Sequence, residues 1–73
     1  MARNYPPLSP RQLDVLTWIG DGCPDGVWSD FTYKHTTYAL AGRGLVTVDM
    51  RRGSWSAALT QRGRYYLDHG DFP

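Results

Sequence analysis

The sequence predicts a small α+β domain whose elements run helix, helix, strand, strand, helix. Three observations lead there. Residues 9–22 and 32–42 place apolar residues at helical spacing between start and stop signals. Residues 45–59 change to alternation of period two around a glycine, and residues 60–69 return to helical spacing. The chain has 73 residues, enough for one hydrophobic core. A domain of this length buries only roughly 60 % of the surface its unfolded chain exposes, so its two Phe, five Tyr and three Trp are expected to supply much of the burial.

Residues 1–8 read as an arm leading into the domain, because Pro6 and Pro7 fix φ and withhold backbone donors. The first helix starts with Ser9 as N-cap, Pro10 at the favoured first position and Gln12 completing a Ser-x-x-Gln capping box. Leu13, Leu16 and Ile19 form its expected apolar stripe, widened by Val15 and Trp18, with Asp14 and Thr17 opposite. Gly20, Gly22 and Pro24 end it. The run Asp21-Gly22-Cys23-Pro24-Asp25-Gly26 is turn chemistry, and Val27-Trp28 is too short for more than a brief extended segment or one helical turn.

A second helix is expected from about Thr32 to Gly42, with Ser29, Asp30 or Thr32 as its cap and Gly42 or Gly44 as its left-handed stop. Tyr33, Thr36, Thr37 and Leu40 share one face; Lys34, His35, Tyr38 and Ala41 share the other. From Leu45 onward Val46, Val48 and Met50 alternate with Thr47, Asp49 and Arg51, and Trp55, Ala57 and Leu59 alternate with Ser54, Ser56 and Ala58. This pattern is a hairpin with one apolar face and a basic tip at Arg51-Arg52-Gly53. The last helix starts from Thr60 as N-cap, carries Gly63, Tyr66 and Leu67 on one face, and frays near His69-Gly70. The domain thus covers residues 9–69, with residues 70–73 as a tail.

Composition excludes several classes. The lone Cys23 cannot make an internal disulfide or a zinc knuckle, and the first ten residues hold no apolar run suited to a signal peptide or membrane span. A cytoplasmic protein with no membrane association is the expectation. The chain has no Glu, no phosphate-binding Gly-rich loop with Lys-Ser/Thr, no HExxH and no Gly-x-Ser-x-Gly. Cys23, His35 and His69 lack any regular metal spacing. An enzyme, a metal site and a cofactor are therefore not expected.

The segment Leu40-x-x-Arg43-Gly44-Leu45-Val46, followed by Trp55-x-Ala57-x-Leu59-Thr60-x-x-Gly63-Arg64-x-Tyr66-Leu67, resembles the winged helix-turn-helix domains of bacterial and phage regulators. In that family the first run ends the recognition helix and enters the wing, and the second leads from the wing into a closing helix. The family usually has a full helix between the first helix and the recognition helix. Here Cys23 to Phe31 leaves little room for one, so an abbreviated helix-turn-helix is expected.

The resemblance implies duplex DNA as partner, with the second helix in the major groove and the hairpin on backbone or minor groove. Thr32, Lys34, His35, Thr36 or Thr37, and Tyr38 then supply donors along the helix. Arg51 and Arg52 beside Gly53 can reach a phosphate or a narrow minor groove, although charges at a hairpin tip also discourage sheet pairing. Arg43 suits a phosphate contact or the negative end of its own helix; Arg62 and Arg64 suit phosphate or simple solvation.

Trp28, Phe31, Trp55 and Tyr66 are read as core. Trp18, Tyr5 and Tyr65 sit at its margins, with Tyr5 and Phe72-Pro73 folding back onto the last helix. The competing function is a protein-docking module anchored by Trp18, Tyr38, Tyr65 or Tyr5, with self-association also allowed, and RNA is a third partner for the same basic face. Net charge is +1, but it is unevenly spread. Residues 1–30 sum to −2, residues 31–67 to +5, and Asp68 with Asp71 add −2, which favours an oriented contact over uniform coating of a polyanion.

Overall fold

The computed structural model describes residues 6–51 and 53–73. Its elements follow the order α1 (Pro10–Gly20), α2 (Thr32–Gly42), β1 (Val46–Arg51), β2 (Ser54–Leu59) and α3 (Gln61–His69), an α+β arrangement of three helices and one antiparallel strand pair.

At the start of α1 the hydroxyl of Ser9 accepts the Gln12 N–H at 3.2 Å while the Gln12 side chain accepts the Ser9 N–H at 3.0 Å. Both orphan donors are thereby satisfied by the capping box legible in the sequence. The buried face of α1 is Val15, Leu16, Trp18 and Ile19. Leu13, expected on that face, is exposed instead. At about 100° per residue the four buried side chains span an arc centred between Val15 and Ile19, and Leu13 lies about 140° from that centre.

Residues 21–31 hold turns and bends and no helix. The N–H groups of Gly22 and Cys23 bond back to Ile19 and Trp18 carbonyls, both at 3.1 Å. Gly22 and Cys23 have φ of 93° and 57°, a left-handed exit that turns the connection over the end of α1. Trp18, expected at the margin, is consequently core: its indole N–H donates to the Pro24 carbonyl at 2.8 Å, and it stands edge-on to Trp28 and Tyr33. Phe31, expected in the core, is 74 % exposed. Trp28 and Tyr33 stack on each other at 6.0 Å against Trp18, and Phe31 lines the cavity of about 160 Å³ beside them instead of joining that packing.

The hairpin register pairs Val46 with Leu59, Val48 with Ala57 and Met50 with Trp55. The six sit on the apolar face that the alternation predicts. Val15, Leu16, Ile19, Leu40, Leu45, Val46 and Tyr66 close the core, with Thr37 buried among them. A corner clamp joins α2, β1 and α3. Gly44 turns with φ of 77°; Thr60 donates its N–H to Leu45 O at 3.0 Å and its hydroxyl to Gly44 O at 2.5 Å, while accepting the Gly63 N–H at 3.1 Å. Both ends of the described chain rest on α3. The Leu8 N–H donates to the Tyr66 hydroxyl at 3.0 Å, and the Phe72 ring meets the Tyr66 ring at 4.9 Å, as expected for the tail. Tyr5 lies outside the described residues. Among the described residues no helix is long and apolar enough to cross a membrane.

Candidate nucleic-acid interface

The first turn of α2 is organised by a three-residue relay. The cap position is Phe31, which supplies no side-chain bond. Asp30 acts instead, its carboxylate accepting the Thr32 hydroxyl at 2.6 Å and the Thr32 N–H at 3.0 Å. The Thr32 hydroxyl oxygen in turn accepts from the Arg11 guanidinium at 3.0 Å. The hydroxyl bond, then the backbone bond, with a smaller contribution from Arg11, holds the Asp30 carboxyl below the ordinary carboxylate range. Arg11 also lies 4.6 Å from the Trp28 ring centre, so this end of the domain presents a guanidinium at the start of α1 beside the N-terminus of α2.

In the same turn, Lys34 holds its ammonium 5.3 Å from the Phe31 ring and 5.4 Å from the Trp55 ring, within cation–π range of both. The Trp55 indole N–H donates to the Tyr38 hydroxyl at 3.3 Å. Because Trp55 belongs to β2, these contacts join the outward side of α2 to the hairpin. His35 and Tyr38 are exposed along that side. Arg51 is at the end of β1, where it bridges the Asp49 carboxylate at 2.8 Å with both side chains largely in solvent. Gly53 forms the tip with φ of 78°; Arg52, also expected there, lies outside the described residues.

Four expected residues fall elsewhere. Thr37 is fully buried and donates its hydroxyl to the Tyr33 carbonyl at 2.8 Å. Its place on the core face of α2 removes it from the exposed set. Arg43 is half-buried and donates to Ala39 O at 3.0 Å, folding its guanidinium onto the C-terminal end of its own helix, where the dipole favours it. Arg62 lies across the corner: its Nε is 3.3 Å from where a Cβ would stand on Gly44. With exposed Arg64, it belongs to α3. The corner is about 16 Å from Phe31, the length of an eleven-residue helix.

The site therefore has two parts: an aromatic and cationic end built from Arg11, Phe31, Thr32, Lys34 and Trp55, continuous with the hairpin, and a corner end carrying Arg43 and Arg62. Arg11 and Phe31 are the residues that sequence reasoning missed. The start of α1 gives no sign that it will lie beside that of α2, and nothing in the local sequence separates Phe31 from Trp28 and Tyr33, which pack on Trp18 without it. Of the docking anchors, buried Trp18 is withdrawn, while Tyr38 and Tyr65 are exposed. The Cys23 thiol faces the Ala57 carbonyl at 3.5 Å, and burial pushes its pKa up, partly countered by that bond. Among the described residues no three His, Cys or carboxylate side chains gather as a metal site.

Comparison with known protein families, with curated proteins and with solved structures returns no match for this chain.

Proposed function

We propose that the chain is a winged-helix DNA-binding domain of the regulator type, with α2 in the major groove and the β1–β2 turn on the phosphate backbone or minor groove. One observation carries this reading. Lys34 and Tyr38 both meet Trp55, so the outward side of α2 and the hairpin make one continuous surface to which α2 contributes no carboxylate. A recognition helix presents its N-terminal residues to base edges. Arg11 adds a guanidinium at that end. The Arg51–Asp49 pair is exposed, so exchanging the carboxylate for a phosphate costs little.

Binding is expected to be strongly salt-dependent. If Arg11, Lys34 and Arg51 each neutralise one phosphate, log K falls by about 2.7 per decade of salt, a loss of about 40-fold between 50 and 200 mM. Fluorescence anisotropy with a labelled mixed-sequence duplex measures it. Lys34→Ala and Arg51→Ala are each expected to flatten the slope by about 0.9; affinity indifferent to salt and to both substitutions contradicts the reading. A protein-docking surface is the second reading, favoured by the exposure of Val27, Phe31, Tyr38 and Met50, and absence of duplex binding at low salt selects it.

A further inference from the structure

We infer that Phe31 is a specificity-determining residue that reads the C5 methyl group of a thymine in the major groove; this rests on the duplex-binding reading above. Among the described residues Phe31 is the most exposed of the large hydrophobic side chains, at 74 %, in a domain too small to waste an aromatic ring. It stands at the N-cap of α2 without capping it, where the end of a recognition helix meets base edges. The Trp18, Trp28 and Tyr33 rings pack on one another, and the Phe31 ring lines the cavity of about 160 Å³ beside them without joining that packing. Thymine alone among the four ordinary bases presents a methyl group in the major groove, and phenylalanine is among the side chains that contact it.

The Lys34 ammonium over the ring fits a DNA partner better than an apolar protein one. Lys34 is poised over the Phe31 ring and Arg11 lies beside Thr32, two cations within one helical turn. Among the described residues two carboxylates share this end, Asp30, which accepts from Thr32, and Asp25, which lines the same cavity as Phe31; neither pairs with Lys34, whose ammonium is left for a phosphate. With Phe31 against a methyl group, the Lys34 ammonium is in reach of the neighbouring phosphate or of a guanine O6/N7 pair. A thymine flanked by a Lys34 contact is therefore the expected core of the preferred site.

The test begins with 24-base-pair duplexes selected by the wild-type protein from a randomised pool, and then replaces each thymine in turn by deoxyuridine, which removes only the methyl group. At one position the wild-type protein is expected to bind about fourfold more weakly, the factor for one buried methyl. Phe31→Ala is expected to bind the thymine and deoxyuridine duplexes equally while keeping the wild-type melting temperature. The deoxyuridine exchange leaves the protein unaltered, so folding of the variant is not at issue. Selection of a duplex that shows no deoxyuridine penalty, or the same penalty with Phe31→Ala, overturns the role of Phe31 and leaves duplex binding intact. Failure to select any duplex overturns both and turns Phe31 into an anchor for a protein partner.

Discussion

Replacing Gly63 by Ala puts the packing of the corner under direct strain. Gly63 is buried in the first turn of α3, and a Cβ there would collide with the Leu45 carbonyl oxygen, while standing 3.0 Å from the Leu45 carbonyl carbon and 3.2 Å from Leu59 Cδ2. The Leu45 oxygen is backbone and already accepts the Thr60 N–H, so it cannot swing aside and α3 must lift. Helix propensity alone makes Ala favourable by about 1 kcal/mol. Against it stand about 1–3 kcal/mol of overpacking and about 1 kcal/mol for each of the two Thr60 bonds to Leu45 and Gly44 that lifting breaks.

The balance is a loss of about 2–4 kcal/mol, a large share of the roughly 4–11 kcal/mol available to a domain of this size. In a thermal melt followed by circular dichroism the midpoint is expected to fall by at least about 8 °C. Gly42→Ala is the matched control, since nothing lies within 4 Å of a Cβ there and its φ is ordinary; it is expected to gain about 0.4–1 kcal/mol. A Gly63→Ala protein as stable as wild type, or more so, would refute the close approach of α3 to the Leu45 carbonyl.

Thr60→Val removes the hydroxyl that donates to Gly44 and caps Gly63, with an expected cost of about 1–2 kcal/mol in urea unfolding. Asp30 is held below the ordinary carboxylate range, so its contribution is present above the unfolded carboxyl's pKa and is lost as pH falls through the lower folded value. The protection of the Thr32 amide, the slowing of its exchange relative to an unstructured amide at the same pH, is expected to fall in that acid window, and a carboxyl titration by NMR reports the lowered midpoint. The Cys23 thiol, raised by burial, is expected to react with an alkylating agent at pH 8 more slowly than a free thiol and to regain the ordinary rate in urea.

Local chemistry made much of this fold legible. Ser9, Pro10 and Gln12 announce α1 because capping is a matter of spacing within one turn, and Thr60 announces α3 for the same reason. The alternation from Val46 to Leu59 fixes which hairpin side is apolar because a one-residue slip would expose every apolar side chain. What eluded the sequence depends on neighbours distant along the chain. Spacing alone puts Leu13 on the core face, but α1 turns a face centred between Val15 and Ile19 inward. Trp18 and Phe31 exchanged roles because the Gly22-Cys23 exit folds the connection over Trp18, a tertiary choice that periodicity does not encode. In the candidate site, Lys34, His35 and Tyr38 were legible from the helical projection. Thr37 shares the core face with Leu40, and Arg11 joins the site only through the packing of α1 beside α2.

Duplex binding by α2 and the β1–β2 turn is tested most directly by NMR titration of the labelled protein with a mixed-sequence duplex at two salt concentrations. The expected result is a set of shifts at Arg11, Phe31, Thr32, Lys34, His35, Tyr38, Arg51 and Gly53 that shrinks at the higher salt, with Thr37 and the exposed acidic side of α1 around Asp14 little changed. Shifts absent from α2 and the turn, or unaffected by salt, would contradict it.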